Sequence, residues 1–486
     1  MNKPLRRVAI FCGLLIFALL VRDNWVQFVQ ADELKTDEHN RRVPIERYAQ
    51  PRGDIVVGGK SITGSTKTDG SDFQYKRTYT NGPMYAPVTG YASQAFGSNQ
   101  IENIEDGILT GDDDRLFFNR TIDVLTGKPK KGGSVVTTID PKAQKAAFEG
   151  LGDKKGAVVA LDPETGAILA LASTPSYDPS SIAGNSKTDG KNWSALQKEN
   201  NPDDPMLNRA LRQTYPPGST FKVVTAAAAL ENGLYTDIDE KTKSPLPYRL
   251  PQSTTELKNE GNIPCKNASM KVALQYSCNT VFGKISENLT NEKMKKQAER
   301  FGFNDKVFIP VRAEASVYPK DNPPQNAMAG IGQASNRATP LQMAMVAAAV
   351  ANNGKLMKPY LVQELRAPNL NVIAQTTPEQ MSRPVSPENA QKLQQMMVNV
   401  VERGTGTNGR IPGVEVGGKT GTAQHGVANS GKPYAWFISY AKTDKGSPVA
   451  VAVVVEDSSG TVRNDVAGGR LAAPIARDVM RAVLDK

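Results

Sequence analysis

Histidine is nearly absent from this chain: His39 and His425 are the only two in 486 residues. A Ser-His-Asp triad would have to use one of them, and a histidine-rich zinc site has too few ligands. Cysteine is as scarce, with Cys12, Cys265 and Cys278, too few for a four-cysteine metal site or a dense disulfide scaffold. No metal and no cofactor is expected. The chain also lacks an arginine-rich tract or a basic stripe interleaved with aromatics, so its net charge of +10 does not point to nucleic acid. An anionic surface accounts for the excess better. Global disorder is excluded too, since 39% of residues are hydrophobic and 22% charged.

Only one long hydrophobic run is present. Lys3, Arg6 and Arg7 precede an unbroken apolar stretch from Val8 to Val21, the arrangement of an export signal. The run is shorter than the roughly 20 residues that span a bilayer core, and Arg22, Asp23 and Asn24 interrupt it before Trp25, Val26, Phe28 and Val29. Two readings follow: a retained anchor with its basic end in the cytoplasm, or a signal cleaved at Val29-Gln30-Ala31. That site lies beyond the interrupting charges, which favours the anchor. Either way the body is expected outside the cytoplasm. Cys12 then reads as a small hydrophobe. Cys265 and Cys278, in an oxidising compartment, could form a disulfide or stay as two buried thiols.

The length suggests two or three domains. Residues 1–31 form the tip and signal-anchor. Residues 32–133 are polar and dense in turn signals such as Gly58-Gly59 and Asn81-Gly82. The stretch 128–133, KPKKGG, has linker composition, and residues 134–486 form the third region. There, Ala157–Leu161 and Ala167–Ala172 flank an Asp-Pro-Glu-Thr-Gly turn as a hairpin. Ala435–Ala441 and Val449–Val455 form a second apolar pair, and Leu471–Leu484 reads as a terminal helix. Strands at both ends with helices between predict an α+β domain whose first and last segments share an antiparallel sheet.

The chemistry concentrates in three short segments. In Thr214–Leu230, TYPPGSTFKVVTAAAAL, Pro216-Pro217-Gly218 stops regular structure and Ser219 begins an alanine-rich helix. Lys222 lies three residues on, one helical turn away. A serine hydroxyl needs something to take its proton, and a lysine can do so only when burial or positive neighbours lower its pKa. Alone, S-x-x-K mostly means a helix cap with a solvated lysine. Two further segments change that reading: Tyr276-Ser277-Cys278-Asn279 and Gly417-Gly418-Lys419-Thr420-Gly421-Thr422. His425, close behind the latter, reads as a loop or cleft-edge residue more readily than as a base.

S-x-x-K, S-x-N and K-T-G in this order resemble the signature of the penicillin-binding transpeptidases. The likeness runs along nearly the whole chain, and to the class B, actinobacterial members in particular. Arg52-Gly53-Asp54-Ile55 resembles the R-G-x-I element of class B N-terminal domains, Gly330-Ile331-Gly332-Gln333 the G-x-G-Q element, and Thr339-Pro340-Leu341-Gln342 the T-P-L-Q element. Locally, Thr339 should cap and Pro340 start a helix.

The resemblance implies a serine β-lactamase-like transpeptidase domain, an antiparallel sheet with helices on both faces plus an all-helical subdomain, behind a non-catalytic N-terminal pedestal. It implies that Ser219 attacks a D-Ala-D-Ala donor peptide, Lys222 takes its proton, and Ser277 with Lys419 returns a proton to the leaving amine. Asn279 should orient the substrate amide. Thr420, Gly421 and Thr422 should line the substrate strand, with the two threonines holding the terminal carboxylate. The backbone N–H groups of Ser219 and Thr422 should form the oxyanion hole. A bond between Cys265 and Cys278 would tie the second motif to the loop before it. β-Lactams should acylate the serine, a neighbouring stem peptide should supply the acceptor amine, and a membrane glycosyltransferase should make the glycan as a partner. Carboxypeptidase activity, or a β-lactam sensor or division scaffold without turnover, are the alternatives. Glu256 resembles a deacylating glutamate only superficially, because it precedes Ser277.

Overall fold

The computed structural model describes the chain apart from residues 1–2, 38–39, 41, 70–71, 118–120, 122–125, 128, 427–428, 458–465 and 486. His39 and Lys128 therefore lie outside the described residues. At the N-terminus a single helix, Lys3–Phe28, continues through Arg22, Asp23 and Asn24 with no buried residue. At about 1.5 Å per residue it is about 39 Å long, more than the roughly 30 Å of a bilayer core. Helical hydrogen bonding carries it past the charges that break the apolar run: Asn24 Nδ2 donates to the Leu20 carbonyl at 2.8 Å and Gln27 Nε2 to Asp23 at 3.2 Å. Among the described residues it is the one helix long and apolar enough to cross a membrane.

The central sheet has five antiparallel strands: β1 Lys155–Leu161, β2 Ile168–Thr174, β3 Glu415–Ala423, β4 Tyr434–Thr443 and β5 Gly446–Asp457. Their order across the sheet is β3-β4-β5-β1-β2, so the last of these strands along the chain pairs with the first of them, Ala452 facing Val159. Both hairpins and the shared antiparallel sheet are as the sequence predicts. The strands read as continuous apolar runs because both faces are covered. Val158, Val451, Val453 and Phe437 pack with helices Pro141–Leu151 and Gly468–Leu484. Ala157, Val159, Ala452, Val454 and Ile438 pack on the other side with helices Lys222–Glu231 and Pro340–Ala351. Small alanines there admit an equally alanine-rich helix. Thr339 Oγ1 accepts from the Gln342 N–H and Pro340 opens the helix, so the T-P-L-Q element is a helix start.

A second sheet joins the N-terminal region to the rest. Ile55–Val57 runs parallel to Ser134–Thr137, which pairs antiparallel with Val362–Arg366. The Arg52-Gly53 pair explains its own sequence. Arg52 is buried, with Nε 2.7 Å from Glu102 and Nη1 2.6 Å from Asp106. A Cβ on Gly53 would lie 1.7 Å from the Gly133 carbonyl oxygen, and one on Gly133 2.3 Å from that of Arg366. Gly132 and Gly133, in the stretch of linker composition, thus allow close backbone approach.

Candidate active site

Ser219 lies in a short 3-10 turn, Gly218–Phe221, that runs into helix Lys222–Glu231. Three contacts shape that turn. Gly218, at φ +54°, donates its N–H to the Gly332 carbonyl at 2.9 Å. A Cβ on Gly332 would meet the Gly218 carbonyl oxygen at 2.0 Å, and Thr225 Oγ1 donates to the Gly330 carbonyl at 2.6 Å. The G-x-G-Q element is therefore the floor beneath the serine turn. Trp436 Nε1 donates to the Pro216 carbonyl at 3.1 Å, fastening the turn to β4.

Lys222 and Lys419 are both fully buried. They meet at Ser277: Lys222 Nζ is 3.2 Å and Lys419 Nζ 3.0 Å from its Oγ. Lys222 also donates to the Ser277 carbonyl and to Asn279 Oδ1, each at 2.7 Å. The sequence spacing aims Lys222 at Ser219, one turn back; the side chain instead reaches across to Ser277 and Asn279. Ser277 itself holds a left-handed backbone, φ 62° and ψ 43°, a strained conformation for a residue with a Cβ. It is the price of presenting both its carbonyl and its hydroxyl to the lysine nitrogens. Burial pushes Lys222 well below an ordinary lysine, and the charge of Lys419 adds to that; burial brings Lys419 down to about 7.

On edge strand β3 side chains alternate. Lys419 faces Ser277, while a Cβ on Gly421 would press on Thr220 and the Pro217 carbonyl. The serine turn and residues 421–423 are thus in contact, with a Cβ on Gly218 falling 3.0 Å from that of Ala423. Thr422 is half-buried and Thr420 buried. Thr420 Oγ1 lies 2.5 Å from Thr405 Oγ1. His425 is stacked on Tyr434 with ring centres 4.0 Å apart, and its Nε2 is 2.5 Å from the Lys432 carbonyl. Glu256 is exposed in a two-stranded hairpin opposite Arg249. Among the described residues, no group of three or more His, Cys, Asp or Glu side chains gathers as a metal site would.

Comparison with known families decides what this geometry belongs to. The penicillin binding protein transpeptidase domain matches residues 156–481, and the penicillin binding protein A dimerisation domain matches 52–135. The chain belongs to the penicillin-binding protein transpeptidase family. Peptidoglycan D,D-transpeptidase PbpA of Mycolicibacterium smegmatis is 42% identical over the whole of this chain and 99% of its own length. That of Mycobacterium tuberculosis is also 42% identical, over 100% of this chain and 99% of its own. Among solved structures, penicillin-binding protein A from M. tuberculosis as a ceftriaxone acyl-enzyme complex superposes with a TM-score of 0.84. It is 41% identical and covers 90% of this chain and 100% of that one.

Within this penicillin-binding protein fold, two features had no sequence signal strong enough to single them out. Thr405, between a helix and β3, is the hydroxyl partner of Thr420. The loop before the second motif packs on it: Asn279 Nδ2 donates to the Lys258 carbonyl at 2.9 Å, and Asn259 Oδ1 accepts from the Thr280 N–H at 3.1 Å. The disulfide that the resemblance implies is formed, joining Cys265 to Cys278 within the second motif. The K-N-E stretch lies beside Glu256, which drew notice only for a family likeness that its position ruled out.

Proposed function

We propose that Ser219 is the nucleophile of a peptidoglycan D,D-transpeptidase, with Lys222 as its base. The observation that carries this reading is the pair of buried lysines sharing the Ser277 hydroxyl beside the serine turn. Lys222, neutral because it is buried next to another cation, takes the Ser219 proton as the oxygen attacks the penultimate D-Ala carbonyl. The N–H groups of Ser219 and Thr422 hold the developing oxyanion. The C–N bond then breaks, and a proton passing through Ser277 from the lysine pair lets D-Ala leave as an amine. An acceptor amine attacks the resulting ester, gives its proton to the lysine pair, and frees Ser219. Thr422, with Thr420 behind it, receives the donor's terminal carboxylate, and Asn279 its amide.

In this reading residues 32–133 are a pedestal without catalytic groups and residues 134–486 carry the reaction. Helix Lys3–Phe28 is retained in the cell membrane, with the body outside. A membrane glycosyltransferase supplies the glycan strands, and penicillin and other β-lactams enter as mimics of D-Ala-D-Ala. The test pairs labelled penicillin with a D-Ala-D-Ala donor and an amine acceptor, on the parent protein and Ser219→Ala. Labelling and cross-linking should both disappear in the variant. Labelling that survives it refutes the nucleophile; acylation of the parent with neither transfer nor D-Ala release refutes the transpeptidase.

A further inference from the structure

The cleft presents an electrostatic problem to its second substrate. Lys419, brought down to about 7, still carries part of its charge at neutral pH; that suits a donor ending in a carboxylate but repels an acceptor amine, which arrives in water as an ammonium. One place relieves this. Residues 258–260 are fastened to the second motif by Asn279 Nδ2 on the Lys258 carbonyl, by Asn259 Oδ1 on the Thr280 N–H and by Asn259 Nδ2 on Thr280 Oγ1 at 3.1 Å. The Cys265–Cys278 bond ties the chain that follows these residues to the second motif as well. Asn279 is in turn held by Lys222, so a continuous chain of contacts runs from the base to this loop. Glu260 follows directly on the fastened Asn259 and is exposed. Among the described residues it is the carboxylate whose charge acts on both Lys222 and Lys419.

We propose that Glu260 is the acceptor-binding residue: a solvent-facing carboxylate, held at the cleft edge by the stapled loop, that takes up the ammonium of the incoming amine. No bond is made or broken at Glu260; the ammonium yields its first proton to neutral Lys222, which passes it to water before the amine attacks. This inference rests on the transpeptidase reading and names the charge of its second substrate.

The test uses the full chain and its Glu260→Gln variant, with a D-Ala-D-Ala donor and two acceptors. One is a lysine-containing stem peptide, cationic at neutral pH; the other is hydroxylamine, which is uncharged there. Loss of an exposed ion pair should raise KM for the cationic acceptor about fivefold. Transfer to hydroxylamine and the rate of penicillin acylation should stay as in the parent, the latter also reporting an intact fold. Unchanged transfer to the cationic acceptor overturns the proposal, and so does an equal loss with both acceptors. Failure of the parent to transfer to either acceptor would instead refute the transpeptidase reading.

Discussion

Two regions of this protein bury charge, and they do so to opposite ends. Within the N-terminal region, Arg52, Arg77 and Glu102 are all buried, and each arginine finds a carboxylate oxygen of Glu102 within 2.7 Å. Burial alone would raise the Glu102 carboxyl, but the charges of Arg77 and Arg52 outweigh it and hold it below the ordinary range. In the cleft, Lys222 and Lys419 are equally buried, yet their polar partners are hydroxyls, carbonyls and an amide. Burial therefore wins, and both fall below an ordinary lysine. The degree of burial is the same; the presence of an ion-pair partner decides whether the charge is locked in place or made easy to discharge.

Removing the poised charge should have the largest effect. Lys222→Met should slow penicillin acylation roughly a thousandfold, as expected for loss of a general base; a change under tenfold would show that the base lies elsewhere. Removing the locked charge should act on stability instead. Glu102→Ala takes the carboxylate partner from buried Arg77 and leaves Arg52 with Asp106 alone, and should lower unfolding free energy by about 3–5 kcal/mol, while the folded fraction acylates at the parent rate.

Lys419→Met sharpens the contrast, since it should lose activity yet gain about 1–4 kcal/mol of stability at neutral pH. The sign follows from linkage. Lys419 titrates at about 7 when folded and near 10.5 when unfolded, so the unfolded chain binds more protons between those values. The parent's stability from this group should rise with pH across that window, and the variant's advantage should shrink. Denaturation curves at pH 7 and 10 measure this, and a constant difference would contradict it. Smallest of all, Thr405→Val leaves Thr420 without its hydroxyl partner and should weaken binding of anionic ligands by about 1 kcal/mol, read as a severalfold higher β-lactam concentration for half-labelling.

The sequence made the cleft legible where chemistry is written in short spacings. Ser219, Lys222, Ser277, Asn279 and Lys419 announce themselves by motif, and β1, β2, β4 and β5 by apolar runs. Side-chain direction was not legible in the same way. Spacing puts Lys222 one turn from Ser219, but a long flexible side chain chooses its partners from what the fold brings near, here Ser277 and Asn279. Nor could local pattern reveal that Gly132 and Gly133 lie against Leu109 and Arg366, because close backbone approach is a property of distant segments. Thr405 and Glu260 escaped for that reason too: each gains its meaning from a strand or loop far away in sequence.

The second sheet carries a consequence for how the chain assembles. Ile55–Val57 rests on Ser134–Thr137, which in turn rests on Val362–Arg366. A chain emerging N-terminus first would deliver the N-terminal strands early, yet the outer edge of Ser134–Thr137 stays open until residue 366 has followed. Such long-range closure is slow and leaves strand edges open in the meantime. The region synthesised first is thus among the last to be completed, and its waiting edges are where a folding helper would have most to shield.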